Sequence, residues 1–201
     1  RLSTIDFIVP GIVALSVMNA GVFGAVNIVS LRERRVLRRL QATPVSRLTI
    51  VSADIALRIV LALTQAVILV VAARLVFDVR LNESVGALVG LAGIVVLGGL
   101  AFLAVGFFVG SFARTEQGYF PLAQVVTFPM MFISGVFFPI ENLPDWLQPV
   151  INILPLTHLA EAVRQLMIGG TATFPLWASV LGMVAYLVVF MTLAVRLFRW
   201  E

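Results

Sequence analysis

Long apolar stretches alternate with short polar ones along the chain, at lengths that suit a bilayer better than a soluble core. Five stretches read as membrane spans: residues 7–29, 50–77, 85–112, 119–138 and 176–197. Each matches or exceeds the ~20 residues a helix needs to cross the hydrocarbon layer. The second and third are longer than that, so they are expected to tilt or protrude. In the third span, Gly86/Gly90 and Gly106/Gly110 form two G-x-x-x-G pairs, a spacing that permits close helix packing. Pro121 and Pro129 predict a kinked fourth span. Trp177 and Trp200 bracket the last span as an interfacial pair. The pattern predicts an all-α polytopic membrane protein, a single membrane domain over residues 1–201.

The polar connections are strongly asymmetric. Between the first two spans lie Arg32, Arg34, Arg35, Arg38, Arg39 and Arg47, opposed by Glu33. The next connection holds Asp78, Arg80 and Glu83, and the long segment 139–173 sets Glu141, Asp145 and Glu161 against Arg164. The positive-inside rule places the arginine loop, residues 31–47, in the cytoplasm and the acidic segments outside. That topology puts the start of the chain outside, and the chain opens on Arg1 rather than Met. A further span is therefore expected ahead of residue 1.

The arginine loop patterns as a short amphipathic helix over residues 31–40. Val36, Leu37 and Leu40 form an apolar side, while Arg34/Arg38 and Arg35/Arg39 repeat at i, i+4. Thr43 and Pro44 suit an N-cap and a first helical position. Two readings follow: topology determinants that bind anionic headgroups, or a docking helix pressed on a cytoplasmic partner. Segment 139–173 reads as two short external helices, re-entrant or interfacial, that only surrounding protein can stabilise. Asn142 caps the first, with Asp145 in its first turn, and Pro149 and Pro155 interrupt it. The second is expected from a Thr157 cap to Met167, stopped by Gly169-Gly170.

Composition narrows the chemistry. The chain of 201 residues is 61% hydrophobic and 12% charged, with a mean hydropathy of +1.08. Soluble domains hold about a quarter charged residues. There is no Cys, which excludes disulfides and thiolate chemistry. All 14 basic residues are Arg. A Walker A loop needs its Lys on the β- and γ-phosphates, so this chain does not bind ATP in that way. The one histidine, His158, reads as a packing or surface residue rather than a ligand. Asn19, Asn27, Gln65 and Gln124 lie inside spans, as interhelical hydrogen bonders or as lining of a path. Asp54 and Arg58, at i, i+4, predict a local ion pair, and Arg74 lies near enough to the outer boundary to snorkel.

Four segments in order resemble a known family, the ABC transporter type-2 permeases, and among them the daunorubicin-exporter-like drug-resistance branch. Asp6-Phe-Ile-Val-Pro-Gly11 is similar to the family's entry to its second span. Arg32-Glu-Arg-Arg-Val-Leu-Arg-Arg-Leu-Gln-Ala-Thr-Pro-Val-Ser46 is similar to its first cytoplasmic loop. Ser134-Gly-Val-Phe-Phe-Pro139 resembles the end of its fifth span. Asn142-Leu-Pro-Asp-Trp146, Leu154-Pro-Leu-Thr157 and Glu161-Ala-Val-Arg164 resemble its external helical hairpin.

The resemblance implies six spans per subunit, two like or unlike permease subunits, and two ATPase subunits that bind ATP and Mg²⁺, with no cofactor in this chain. It implies a coupling helix in which Arg34, Arg35, Val36, Leu37, Arg38 and Leu40 meet the ATPase. Asn19, Asn27, Gln124, Phe128 and Met131 are the corresponding path candidates, with Phe138 and Trp146 at an external gate. The expected function is export of a hydrophobic drug, lipid or similar amphiphile across a bacterial cytoplasmic membrane, without catalysis here and without nucleic acid. Two other readings stand beside it: an ATP-independent carrier or channel, and a membrane-embedded lipid-modifying enzyme. The enzyme needs carboxylates or a His–carboxylate pair gathered at one depth, whereas the charges here scatter.

Overall fold

The computed structural model describes residues 4–34, 47–79, 81–82, 84–137, 144–169 and 174–197, and every regular element among them is helical. In chain order these are α1 (Thr4–Gly24), α2 (Val26–Glu33), α3 (Arg47–Phe77), α4 (Val85–Phe112), α5 (Glu116–Ile133), a 3₁₀ turn at Asp145–Leu147, α6 (Gln148–Ile153), α7 (Pro155–Ile168) and α8 (Leu176–Leu197). Among the described residues, four stretches are long and apolar enough to cross a membrane: Asp6–Glu33, Ser52–Phe77, Val85–Phe112 and Leu176–Leu197.

The expected fourth span differs. The helix starts earlier than residue 119 and ends at Ile133, giving 18 residues with Glu116 in the first turn. Thr115 starts it, its side chain accepting from Gly118 N at 3.0 Å. Gly135, at φ 74°, turns the chain out of the helix before Phe137. Polar Glu116, Gln117 and Gln124 and the two prolines keep α5 out of these four apolar stretches, although the helix runs through Pro121 and Pro129.

Helix α4 is the axis of the fold. Residues 101–107 are all buried, so the helix is enclosed on every side at that level. It packs against α1, α3, α7 and α8. The contact with α1 needs glycine: a Cβ at Gly106 would stand 2.6 Å from Val22 O and 2.8 Å from Ala25 Cβ. Of the two glycine pairs, Gly106/Gly110 therefore forms a helix seam, Gly110 meeting Val29. Gly86 faces open space, and Gly90 meets a side chain, Leu166. Helix α3 turns Leu57, Val60, Leu61, Val67 and Ile68 outward, as a helix facing hydrocarbon does.

Helix α7 carries residues 155–168 of the expected external segment into the core. It packs on α1, α4 and α8, with Leu156, Leu159, Ala162 and Val163 fully buried. Thr157 does not cap it: the N-cap is Leu154 and Pro155 takes the first position, whose missing N–H is no loss there. Gly169, at φ 71°, ends the helix as expected, its N–H returning to Gln165 O at 3.0 Å.

Candidate functional site

At the arginine end, α2 is a short lever tied at three levels. It continues α1 after a one-residue interruption at Ala25, where the N–H groups of Ala25 and Ile28 bond three residues back. The expected helix over residues 31–40 is described only to its first turn: α2 ends at Glu33 and Arg34 is its C-cap. Arg35, Val36, Leu37, Arg38 and Leu40 lie outside the described residues, as do Thr43 and Pro44.

The first tie is at the interruption. Tyr119, fully buried on the first turns of α5, donates its hydroxyl to Val22 O, and Gly106 O lies 3.3 Å from the same oxygen. The second tie is in the middle: Asn27 Nδ2 donates to Asp54 Oδ1 at 2.9 Å. Arg58 grips the same carboxylate through Nε at 2.8 Å and Nη2 at 3.1 Å. Asp54–Arg58 is the predicted i, i+4 pair, in the bidentate form that fixes both side chains. Asn27 joins α2 to it, so the helices entering and leaving the arginine loop are strapped together.

The third tie is at the far end of the lever. Glu33 Oε2 accepts from Glu116 N at 2.7 Å, filling one of the free N–H groups that open α5. Arg32 donates to Ala113 O. Arg34, 72% exposed at its side chain, lies 4.0 Å from Glu116.

The path candidates divide between two places. Asn19 opens on a cleft of about 560 Å³ between α1 and α3, whose walls include Phe23, Arg58, Leu61, Thr64 and Gln65. Asn27 spends its amide on Asp54. Gln124 and Phe128 share the exposed face of α5, where Phe128 meets Phe132 at 5.1 Å between ring centroids. Met131 is half-buried against the core. Phe23 and Phe120, stacked at 6.0 Å, join α1 to α5 between these sets.

At the opposite end, Trp146 is 74% exposed, and Phe138 lies outside the described residues. Helix α7 buries an ion pair of Arg164 and Glu161, with the guanidinium carbon 3.9 Å above the centre of the Phe7 ring. Burial pushes the Arg164 guanidinium below its ordinary range, and Glu161 pulls it back up. His158 packs on Phe174 and against Gly182, a packing role as expected. Burial lowers it below the ordinary imidazole range, against a weaker upward pull from the Asn152 backbone.

Sequence reasoning missed the Tyr119 contact and the Glu33–Glu116 tie, which join residues far apart in the chain. It also placed Glu161 and Arg164 in the external segment without pairing them, although their i, i+3 spacing was visible. Among the described residues, no group of three or more His, Cys, Asp or Glu gathers where it would hold a metal ion.

The sequence pattern of the ABC-2 family transporter proteins matches residues 1–196. The chain belongs to the ABC-2 family. It is 31% identical over 196 residues to ABC transporter G family member 20 of Dictyostelium discoideum, covering 95% of this chain and 26% of that protein. It is 33% identical over 171 residues to nodulation protein J of Rhizobium meliloti, covering 84% of this chain and 63% of the relative. A shorter match, 40% over 78 residues, covers 38% of this chain and 27% of the daunorubicin resistance ABC transporter permease protein DrrB1 of Streptomyces coeruleorubidus. The chain thus spans less than two thirds of these relatives. An ABC-2 membrane domain with multiple spans is the coarse identity of this chain.

Proposed function

We propose that the chain is the permease of an ATP-driven exporter in a bacterial cytoplasmic membrane, moving a hydrophobic drug, lipid or similar amphiphile outward. ATP and Mg²⁺ bind an ATPase subunit outside these 201 residues, which hold no Lys for a Walker A loop. A second permease subunit, identical or homologous, completes the pathway. The arginine loop faces the cytoplasm and seats on the ATPase through Val36, Leu37 and Leu40, flanked by Arg34, Arg35 and Arg38. Trp146 and the segment around it form the outer gate.

One observation supports this reading above the others. The helices on both sides of the arginine loop are fastened to each other by Asn27, Asp54 and Arg58, and the near side is fastened to α5 by Glu33. A displacement imposed on the loop therefore reaches α1, α3 and α5 together, which a lipid anchor does not require. Asp54–Arg58 also argues against a carrier driven by ions: both charges are spent on each other, whereas such carriers keep ionisable groups for their cargo.

The test is Val36→Asp, Leu37→Asp and Leu40→Asp together. The reading predicts normal insertion of the permease with loss of the co-purifying ATPase. An intact complex with unchanged transport-linked hydrolysis supports lipid anchoring instead.

A further inference from the structure

The arginine loop does not stand alone at its end of the molecule. The turn between α4 and α5, residues 113–117, is fixed beside it by the Glu33 cap on Glu116 N, the Arg32 bond to Ala113 O, and the approach of Arg34 to Glu116. Arg114, Thr115 and Gln117 on this turn are exposed. We infer that this turn is the second half of the ATPase-docking surface, presenting Arg114 and Gln117 beside Arg34 to an acidic patch on the ATPase subunit. The inference rests on the arginine loop being the first half.

Two physical arguments support it. The first is area. A stable interface covers about 800 Å² per partner, a disc of roughly 16 Å radius. The expected docking residues include Arg34, whose guanidinium is 4.0 Å from the Glu116 carboxylate. A footprint of that size that takes in Arg34 also covers the turn beside it.

The second argument is charge. Glu33 caps Glu116 N and the Glu116 carboxylate faces Arg34 at 4.0 Å, while Arg34 stays 72% exposed and Arg114 is exposed beside it. Such a surface attracts an acidic partner and orients it. The same positions explain what the contact does: the turn starts α5, so pressure on it moves α5 directly, while pressure on the loop reaches α5 through Glu33.

A photo-crosslinking phenylalanine is placed at Arg114, Gln117 or Leu37, with Trp146 at the opposite end as control, and each variant is irradiated in intact membranes. The captured partner is identified by mass spectrometry, and a protein counts only if it carries nucleotide-binding motifs. Capture of that ATPase from 114, 117 and 37, and none from 146, is the expected result. Capture from 37 with only lipid adducts at 114 and 117 overturns the inference and leaves the loop's docking role standing. Capture of no ATPase from 37 or the turn overturns both. As a second reading, Arg114→Glu is expected to lower the yield of co-purified ATPase several-fold, and an unchanged yield contradicts the turn's role.

Discussion

The hydroxyl of Tyr119 donates to the carbonyl of Val22, so the first turns of α5 hold the point at which α1 gives way to α2. That carbonyl already accepts from Ala25 N three residues on, at 3.1 Å. Tyr119 supplies a second donor at the interruption. Gly106 makes room for the carbonyl on the α4 side.

Tyr119→Phe removes the donor and keeps the ring. A cost of about 1 kcal/mol follows, or a melting shift of roughly 2–4 °C for a chain of this size. Gly106→Ala is expected to be worse, because its new methyl meets backbone rather than a yielding side chain. Thermal unfolding in detergent measures both. A Gly106→Ala protein as stable as the parent rules out the close approach at this seam.

The Asn27–Asp54–Arg58 strap has a graded signature. Asn27→Ala loses one hydrogen bond, about 1 kcal/mol. Asp54→Ala strips a largely buried guanidinium of its partner and costs about 3 kcal/mol. If the strap transmits force, both variants keep the ATPase bound yet hydrolyse ATP without matching transport. Hydrolysis and transport measured on the same proteoliposomes check this, and variants that stay fully coupled deny the strap a role beyond stability.

The buried pair in α7 behaves in the manner of an internal salt bridge. Glu161→Gln leaves Arg164 charged at 7% exposure and is expected to cost about 3–5 kcal/mol. The double change Glu161→Leu with Arg164→Met recovers most of that, since it removes both desolvated charges. A double-mutant cycle on thermal stability measures the coupling. Additive losses show that the two side chains do not act as a pair.

His158 gives the fold a pH dependence with a definite sign. Its native value lies below the ordinary 6.5 because burial disfavours the imidazolium. Below about pH 6.5 the unfolded chain takes up a proton that the native state does not, so stability falls as pH drops through that window. Melting curves between about pH 7.5 and 5.5 follow the loss, and His158→Gln flattens it. An unchanged slope in that variant assigns the effect to other groups.

Legibility followed the range of the forces. Helix α4 has the bounds expected, because an unbroken apolar run between Ser84 and Ala113 leaves no other stopping points. Asp54–Arg58 was readable because one helical turn separates the two residues. The end of α5 was misplaced because Val136 and the residues after it look apolar, while the signal that matters is a single positive φ at Gly135. Thr157 resembled a cap, but proline at 155 had already claimed the helix start. Tyr119 and Val22 are 97 positions apart, and no local pattern announces such a contact. The same holds for Glu33, which caps a helix that begins 83 residues later.

The most direct test of the account is reconstitution of the permease with and without its ATPase subunit in proteoliposomes, following a fluorescent apolar amphiphile together with ATP hydrolysis. The account predicts amphiphile movement only with both subunits and ATP, and joint loss of movement and coupled hydrolysis in the Val36→Asp, Leu37→Asp, Leu40→Asp protein. Movement at the same rate by the permease alone, without ATP, contradicts it and makes the chain a carrier or channel.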